Sequence, residues 1–163
     1  MTNNQPPRRR SGSKKVCQEL LQQRTGLLLQ YCQVSDICAK EKGTASNDLL
    51  RRFCQNLVDY VAMGHFALYD RITKGGERRQ RARDLAELIY PQILESTNKV
   101  VSFSDRYAEA TDNFSLQQDL STLGEVLAGR IAAEDKVLAE LVTGLDLRPV
   151  ESAGAAVQMT LPT

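Results

Sequence analysis

Between Asn47 and Ile72 the chain reads NDLLRRFCQNLVDYVAMGHFALYDRI, a helical pattern with apolar residues on more than one face. Leu50, Phe53, Leu57, Val61, Gly64, Leu68 and Ile72 recur at steps of three and four, which places them on one side of an α-helix. At about 100° per residue, Met63 and Phe66 point roughly the opposite way, with Asp59 and Asp70 beside them. His65 and Tyr69, one turn apart, fall on the edge between the faces. A helix that is apolar nearly all round is either buried among other elements or keeps one face for a partner. This segment therefore constrains fold and function together.

The remaining pattern supplies more helices of the same kind. From about Lys14 to Val34, the residues Val16, Leu20, Leu27, Tyr31 and Val34 form one stripe. Residues 35–47 hold Ser, Asp, Gly, Thr and Asn and read as a loop, with Asn47 placed to cap the second helix. Gly75-Gly76 is a helix stop. A third stripe runs through Leu85, Ile89, Ile93, Ser96, Val100, Phe103, Tyr107 and Ala110, with Pro91 inside it marking a helix start or a kink. Asn113 to Ser115 is a turn. Leu116 to about Val142 is the fourth helix, with Leu116, Leu120, Leu123, Leu127, Ile131, Leu138 and Leu141 in register. No segment alternates with period two long enough to make a strand, and no internal repeat is present. The fold class is all-α: an antiparallel four-helix bundle over residues 15–146, with a basic disordered tail over 1–14 and a second disordered tail over 147–163.

Charge is unevenly spread. The first fifteen residues hold five basic groups (Arg8, Arg9, Arg10, Lys14, Lys15) and no acid. That leaves sixteen basic against twenty acidic residues in the remainder, a net of four negative charges. A second basic run, Arg78 to Arg83, is offset only by Glu77 and Asp84. The folded body thus suits a basic partner. The arm at Arg8, Arg9 and Arg10 would draw nucleic acid weakly and without specificity through counterion release. No aromatic residue interleaves it and no helix-turn-helix stands out, so a solubilising, non-specifically sticky arm is the favoured reading. No apolar run approaches the roughly 18–20 residues of a membrane span, and no apolar stretch follows the basic start as in a secretory signal. A cytoplasmic location is expected. Cys17, Cys32, Cys38 and Cys54 lack CxxC spacing and read as reduced core thiols rather than a disulfide framework.

Two charges interrupt the apolar stripes. Arg24 lies four after Leu20 and three before Leu27, and Glu134 lies three after Ile131 and four before Leu138. Burying either alone is costly, so they are expected to meet in an internal polar layer that also takes Arg130, with His65, Tyr69 or Ser96 to complete it. The plain alternative is a structural ion pair, or side chains reaching out to water. Neither reading makes an enzyme. The chain has one His and no Glu-x-x-His, no P-loop, no GxGxxG and no GxSxG, so no catalytic residue, metal site or cofactor is expected.

FCQNLVDYVAMGHFALYDRI, Phe53 to Ile72, closely resembles the signature helix of the Rsd/AlgQ family of bacterial sigma-factor regulators. The match runs through Phe53, Cys54, Gln55, Leu57, Val58, Asp59, Tyr60, Gly64, His65, Phe66, Tyr69, Arg71 and Ile72. IYPQ at Ile89 to Gln92 is similar to the family's Ile-Trp-Pro-Gln. LSTLGEVLAGRIAAEDKVL, Leu120 to Leu138, resembles its last helix through Leu120, Gly124, Glu125, Leu127, Arg130, Glu134, Asp135 and Lys136. The resemblance covers roughly residues 15–143. Departures are the family's Asp-Arg-Trp-Leu, here Gln18, Glu19, Leu20 and Leu21, and the added arm and tail. The resemblance implies an all-helical anti-sigma factor that binds region 4 of the primary sigma factor and keeps it from core RNA polymerase and promoter DNA. It implies that Asp59 and Asp70 face basic residues of sigma and that Met63 and Phe66 give apolar contact, with His65 and Tyr69 at the edge. A structural reading stands beside this one: Gly64 as a close helix approach, and His65 with Tyr69 as a packed edge pair. A nucleic-acid-associated regulator acting through the arm is the alternative function.

Overall fold

Four apolar stripes, one per helix, meet in a single core. The computed structural model describes residues 8–41, 46–70, 80–109 and 114–143. Its helices are α1 (Arg8–Lys40), α2 (Asn47–Gly64), α3 (Gln80–Tyr107) and α4 (Leu116–Thr143), and a π-helical segment, His65–Asp70, prolongs α2. No strand occurs among the described residues. Leu20, Leu27, Leu50, Phe53, Leu57, Ile93, Val100, Leu116 and Leu127 are all buried in the core.

Cross-helix bonds give the register and show that neighbours run antiparallel. Gln30 accepts from Asn56, and Arg24 reaches Tyr60, so α1 and α2 run in opposite senses. Ser104 donates to the Cys54 carbonyl, while Arg130 ties Val61 to Ile93, which fixes α2 against α3. Arg106 pairs with Asp119 and Gln92 reaches Gly129, which fixes α3 against α4. Tyr31 donates to the Leu120 carbonyl at 2.7 Å and Arg24 meets Asp135, closing α4 onto α1. The result is an up-down-up-down bundle.

Several boundaries differ from the sequence reading. α1 continues through Ser35 and Asp36 to Lys40, where a loop is expected. The apolar step carries on through Val34 to Cys38, which is buried, and that packing outweighs the weak helix propensity of Ser and Asp. α1 also begins at Arg8, inside the segment expected to be a tail. The cap of α2 is Ser46 rather than Asn47: its side chain accepts from the Leu49 amide at 3.3 Å. α3 continues past Pro91 rather than starting there. Ala86 and Ile89 before the proline, and Ile93 and Ser96 after it, are buried and hold the helix, while Pro91, which has no amide to offer the Glu87 carbonyl, lies with Glu87 on the exposed side. Cys32 is exposed, unlike the other three cysteines, and none of the four is in a disulfide. Gly75-Gly76, Asn113 and the segments 1–7 and 144–163 lie outside the described residues. No described helix is long and apolar enough to cross a membrane.

Candidate functional site

The bundle carries two polar features that its core does not require. One lies inside and one on the outer side of α2.

Inside, each helix sends a polar group to the same level. Arg24 from α1 donates through Nη2 to Glu134 Oε2 at 3.0 Å, through Nη1 to Asp135 Oδ1 at 2.6 Å, and through Nε to the Tyr60 hydroxyl at 3.1 Å. Tyr60 from α2 donates in turn to Glu134 Oε2. Arg130 on α4, one turn before Glu134, donates from Nε to Glu134 Oε1 at 2.7 Å. Its Nη1 serves Thr97 at 2.8 Å, Ser96 at 3.0 Å and the Ile93 carbonyl at 3.2 Å on α3, and its Nη2 serves the Val61 carbonyl at 3.3 Å. Arg130 is 1% exposed and Glu134 fully buried. Two guanidiniums against two carboxylates leave the layer neutral, and every oxygen of Glu134 is used, the condition under which buried charge is tolerated.

Burial by itself would lower the Arg24 guanidinium, but its bonds to Asp135, Tyr60 and Glu134 outweigh this and raise it above its ordinary value. The Tyr60 hydroxyl is also raised, first by burial and then by the adjacent Glu134 charge. Both groups therefore hold one protonation state through neutrality. Of the expected members, Arg24, Glu134, Arg130 and Ser96 come together; His65 stands apart, exposed, with its ring beside Phe66 and Tyr90. Tyr60, Thr97 and Asp135 are additional. Tyr60 was legible, since it lies three after Leu57 and four before Gly64 on the same stripe.

Gly64 is where the layer needs space. A Cβ there would stand 3.0 Å from Glu134 Oε1 and 3.2 Å from Arg130 Nη2. Immediately after it the helix widens into the π segment, which inserts Ala67 and Leu68 side by side into the core.

On the outer side of α2, Asp59 is exposed and accepts from Gln55 at 2.9 Å, and no cation pairs with it among the described residues. Phe66 is 65% exposed. Met63 differs from its expected outward direction: it is half-buried and packs against the core. Tyr69 and Asp70 end the π segment as backbone, and their side chains lie outside the described residues, as do those of Arg8, Arg9 and Arg10. Among the described residues, no three His, Cys, Asp or Glu groups come together to hold a metal.

Comparison with known proteins gives a consistent set. Residues 2–142 match the family model described as "Regulator of RNA polymerase sigma(70) subunit, Rsd/AlgQ". The chain is similar to the Regulator of sigma D of Yersinia enterocolitica, 38% identical over 134 residues covering 78% of this chain and 80% of that protein. It is 39% identical to the Regulator of sigma D of Yersinia pseudotuberculosis over 78% of this chain and 79% of that one. The protein of the same name in Sodalis glossinidius is 35% identical over 133 residues, 78% and 88% of the two chains. No solved structure matches.

Proposed function

Since the chain belongs to the Rsd/AlgQ family of regulators of the RNA polymerase sigma(70) subunit, we propose that it is an anti-sigma factor that binds region 4 of the primary sigma factor. Bound sigma is withheld from core polymerase and from promoter DNA, in the cytoplasm and by stoichiometric binding without chemistry.

The observation that carries this reading is the outer side of α2, where the exposed carboxylate of Asp59, with no cation paired to it among the described residues, lies two turns before the exposed ring of Phe66. A segment that reads DNA is basic and amphipathic. An exposed acid steers such a partner and an apolar anchor beside it supplies affinity. Met63, half-buried against the core, offers only part of its side chain to such a partner. The interior layer acts as scaffold: it joins all four helices at the level of Gly64, where α2 passes into the π segment carrying His65 and Phe66.

Titration against the isolated region 4 of the primary sigma factor at physiological salt tests the proposal. Saturable binding that promoter DNA competes away is the expected result. Absence of binding by a folded protein defeats it.

A further inference from the structure

The outer side of α2 does not end the exposed apolar surface. The His65 ring lies with its centroid 5.8 Å from that of Phe66 and 6.4 Å from that of Tyr90, so it bridges α2 to α3. Along α3, Leu94 follows Tyr90 by one turn and Val101 follows Leu94 by two, and all three are exposed, Leu94 at 46%. Single exposed hydrophobes are ordinary, whereas a run that crosses from one helix to the next is not.

Charge singles out the same side. Glu87, three before Tyr90, and Asp105, four after Val101, are exposed, and like Asp59 they form no ion pair among the described residues. The other flank of α3 is different. There Glu95 is paired with Lys99 at 2.8 Å and Asp119 with Arg106 at 3.2 Å, so the groove over Phe103 and Leu123 is electrically balanced. The unpaired acids thus border the apolar run and leave the opposite groove neutral.

Given the sigma-binding reading, we infer that Tyr90, Leu94 and Val101 of α3 form the second half of the docking face, and that its occupant is one basic amphipathic helix of sigma region 4 lying across α2 and α3. The apolar stripe of that helix rests on Phe66, Tyr90 and Leu94, and its basic flanks meet Asp59 on one side and Glu87 and Asp105 on the other. Leu88 is the natural control. It is 76% exposed but lies two positions before Tyr90, about 200° round the helix and off this face.

The test is fluorescence anisotropy with labelled sigma region 4 and the full chain carrying Tyr90→Ala with Leu94→Ala, Phe66→Ala, or Leu88→Ala. The double variant is expected to lose about tenfold or more in affinity, and Leu88→Ala less than about twofold. Leu94→Lys, at an exposed position that tolerates charge, guards against a folding defect in the double variant; it should weaken binding as well, by repelling a basic partner. If Phe66→Ala weakens binding while both α3 variants bind as the parent does, the face stops at α2 and the inference falls alone. If all variants bind as the parent does, sigma docks elsewhere on the bundle and the inference falls with the α2 site. If the parent does not bind region 4 at all, the anti-sigma reading and the inference fall together.

Discussion

Gly64 sets its bare Cα against the carboxylate of Glu134, and the two positions fit only because no Cβ intervenes: one would approach Oε1 to 3.0 Å. Neither Glu134 nor Arg130 can yield, because both are buried and every bond they make is across or along the bundle. Gly64→Ala is therefore expected to lower stability by about 1–3 kcal/mol, the usual cost of overpacking a core. The sign is informative, since Gly to Ala within a helix otherwise gains up to about 1 kcal/mol. Gly26 on α1 has nothing within 4 Å of its Cβ position, so Gly26→Ala should stabilise. Thermal unfolding of the two variants should move in opposite directions.

Arg24 and Glu134 supply a second prediction. Removing one partner leaves a buried charge without compensation, a loss of about 3–5 kcal/mol. Arg24→Met and Glu134→Gln should each unfold early in denaturant. Arg24→Met with Glu134→Gln should be less destabilised than the sum of the two single variants, because the bond between them can be lost only once, while Arg130 keeps its bonds to Thr97, Ser96 and the Ile93 carbonyl. Additive losses would mean that the two groups do not depend on one another.

The interior layer was partly legible because a charged residue at steps of three and four among leucines has no inexpensive place to go. That logic finds Arg24, Glu134 and Ser96 from spacing alone. It does not find Thr97 or Asp135, which lie off the stripe and join through the length of arginine side chains. Helix number and the second and fourth helices follow from periodicity. The end of α1 does not, because Ser35 and Asp36 carry a loop signal that burial of Cys38 overrides. The orientation of Met63 departs from the wheel for a different reason: a helical wheel treats α2 as an isolated cylinder, whereas in the bundle Met63 packs against the core. Past Gly64 a fixed angle per residue fails altogether, because the π segment changes the turn.

Cys54 and Tyr60 predict an alkaline limit. Burial pushes the Cys54 thiol from 9.0 up to about 11, and burial with the nearby Glu134 charge raises Tyr60 as well. Both are acids kept neutral by the fold, so the unfolded chain gives up their protons first as pH rises. The Cys54 contribution is complete below about pH 9 and declines from there toward pH 11, and that of Tyr60 is complete below about pH 10 and declines above it. Cys54→Ala should flatten that decline, measured as the unfolding midpoint against pH.

Thiol exposure gives a check that needs no variant to be made first. Cys32 is exposed, while Cys17, Cys38 and Cys54 are buried. Reaction with an aromatic disulfide reagent at neutral pH should show one fast thiol per folded chain and three that react only on opening. Cys32→Ser should remove the fast phase and leave the slow ones.

Asp59 and Phe66 should affect sigma binding in different ways, and the difference separates steering from affinity. Asp59 is an exposed charge with no cation paired to it among the described residues, so it acts on a basic partner at long range, through water and salt. Phe66 is an exposed ring whose contribution comes from leaving water on contact. Asp59→Ala is expected to slow association and to reduce the dependence of affinity on salt, with little change in the dissociation rate. Phe66→Ala is expected to speed dissociation about tenfold or more and leave the salt dependence as it was. Neither side chain supports the core, so both variants should melt with the parent. Stopped-flow binding to sigma region 4 at two ionic strengths resolves the two effects. A Phe66→Ala variant with unchanged dissociation would remove the ring from the interface, whatever Asp59 does.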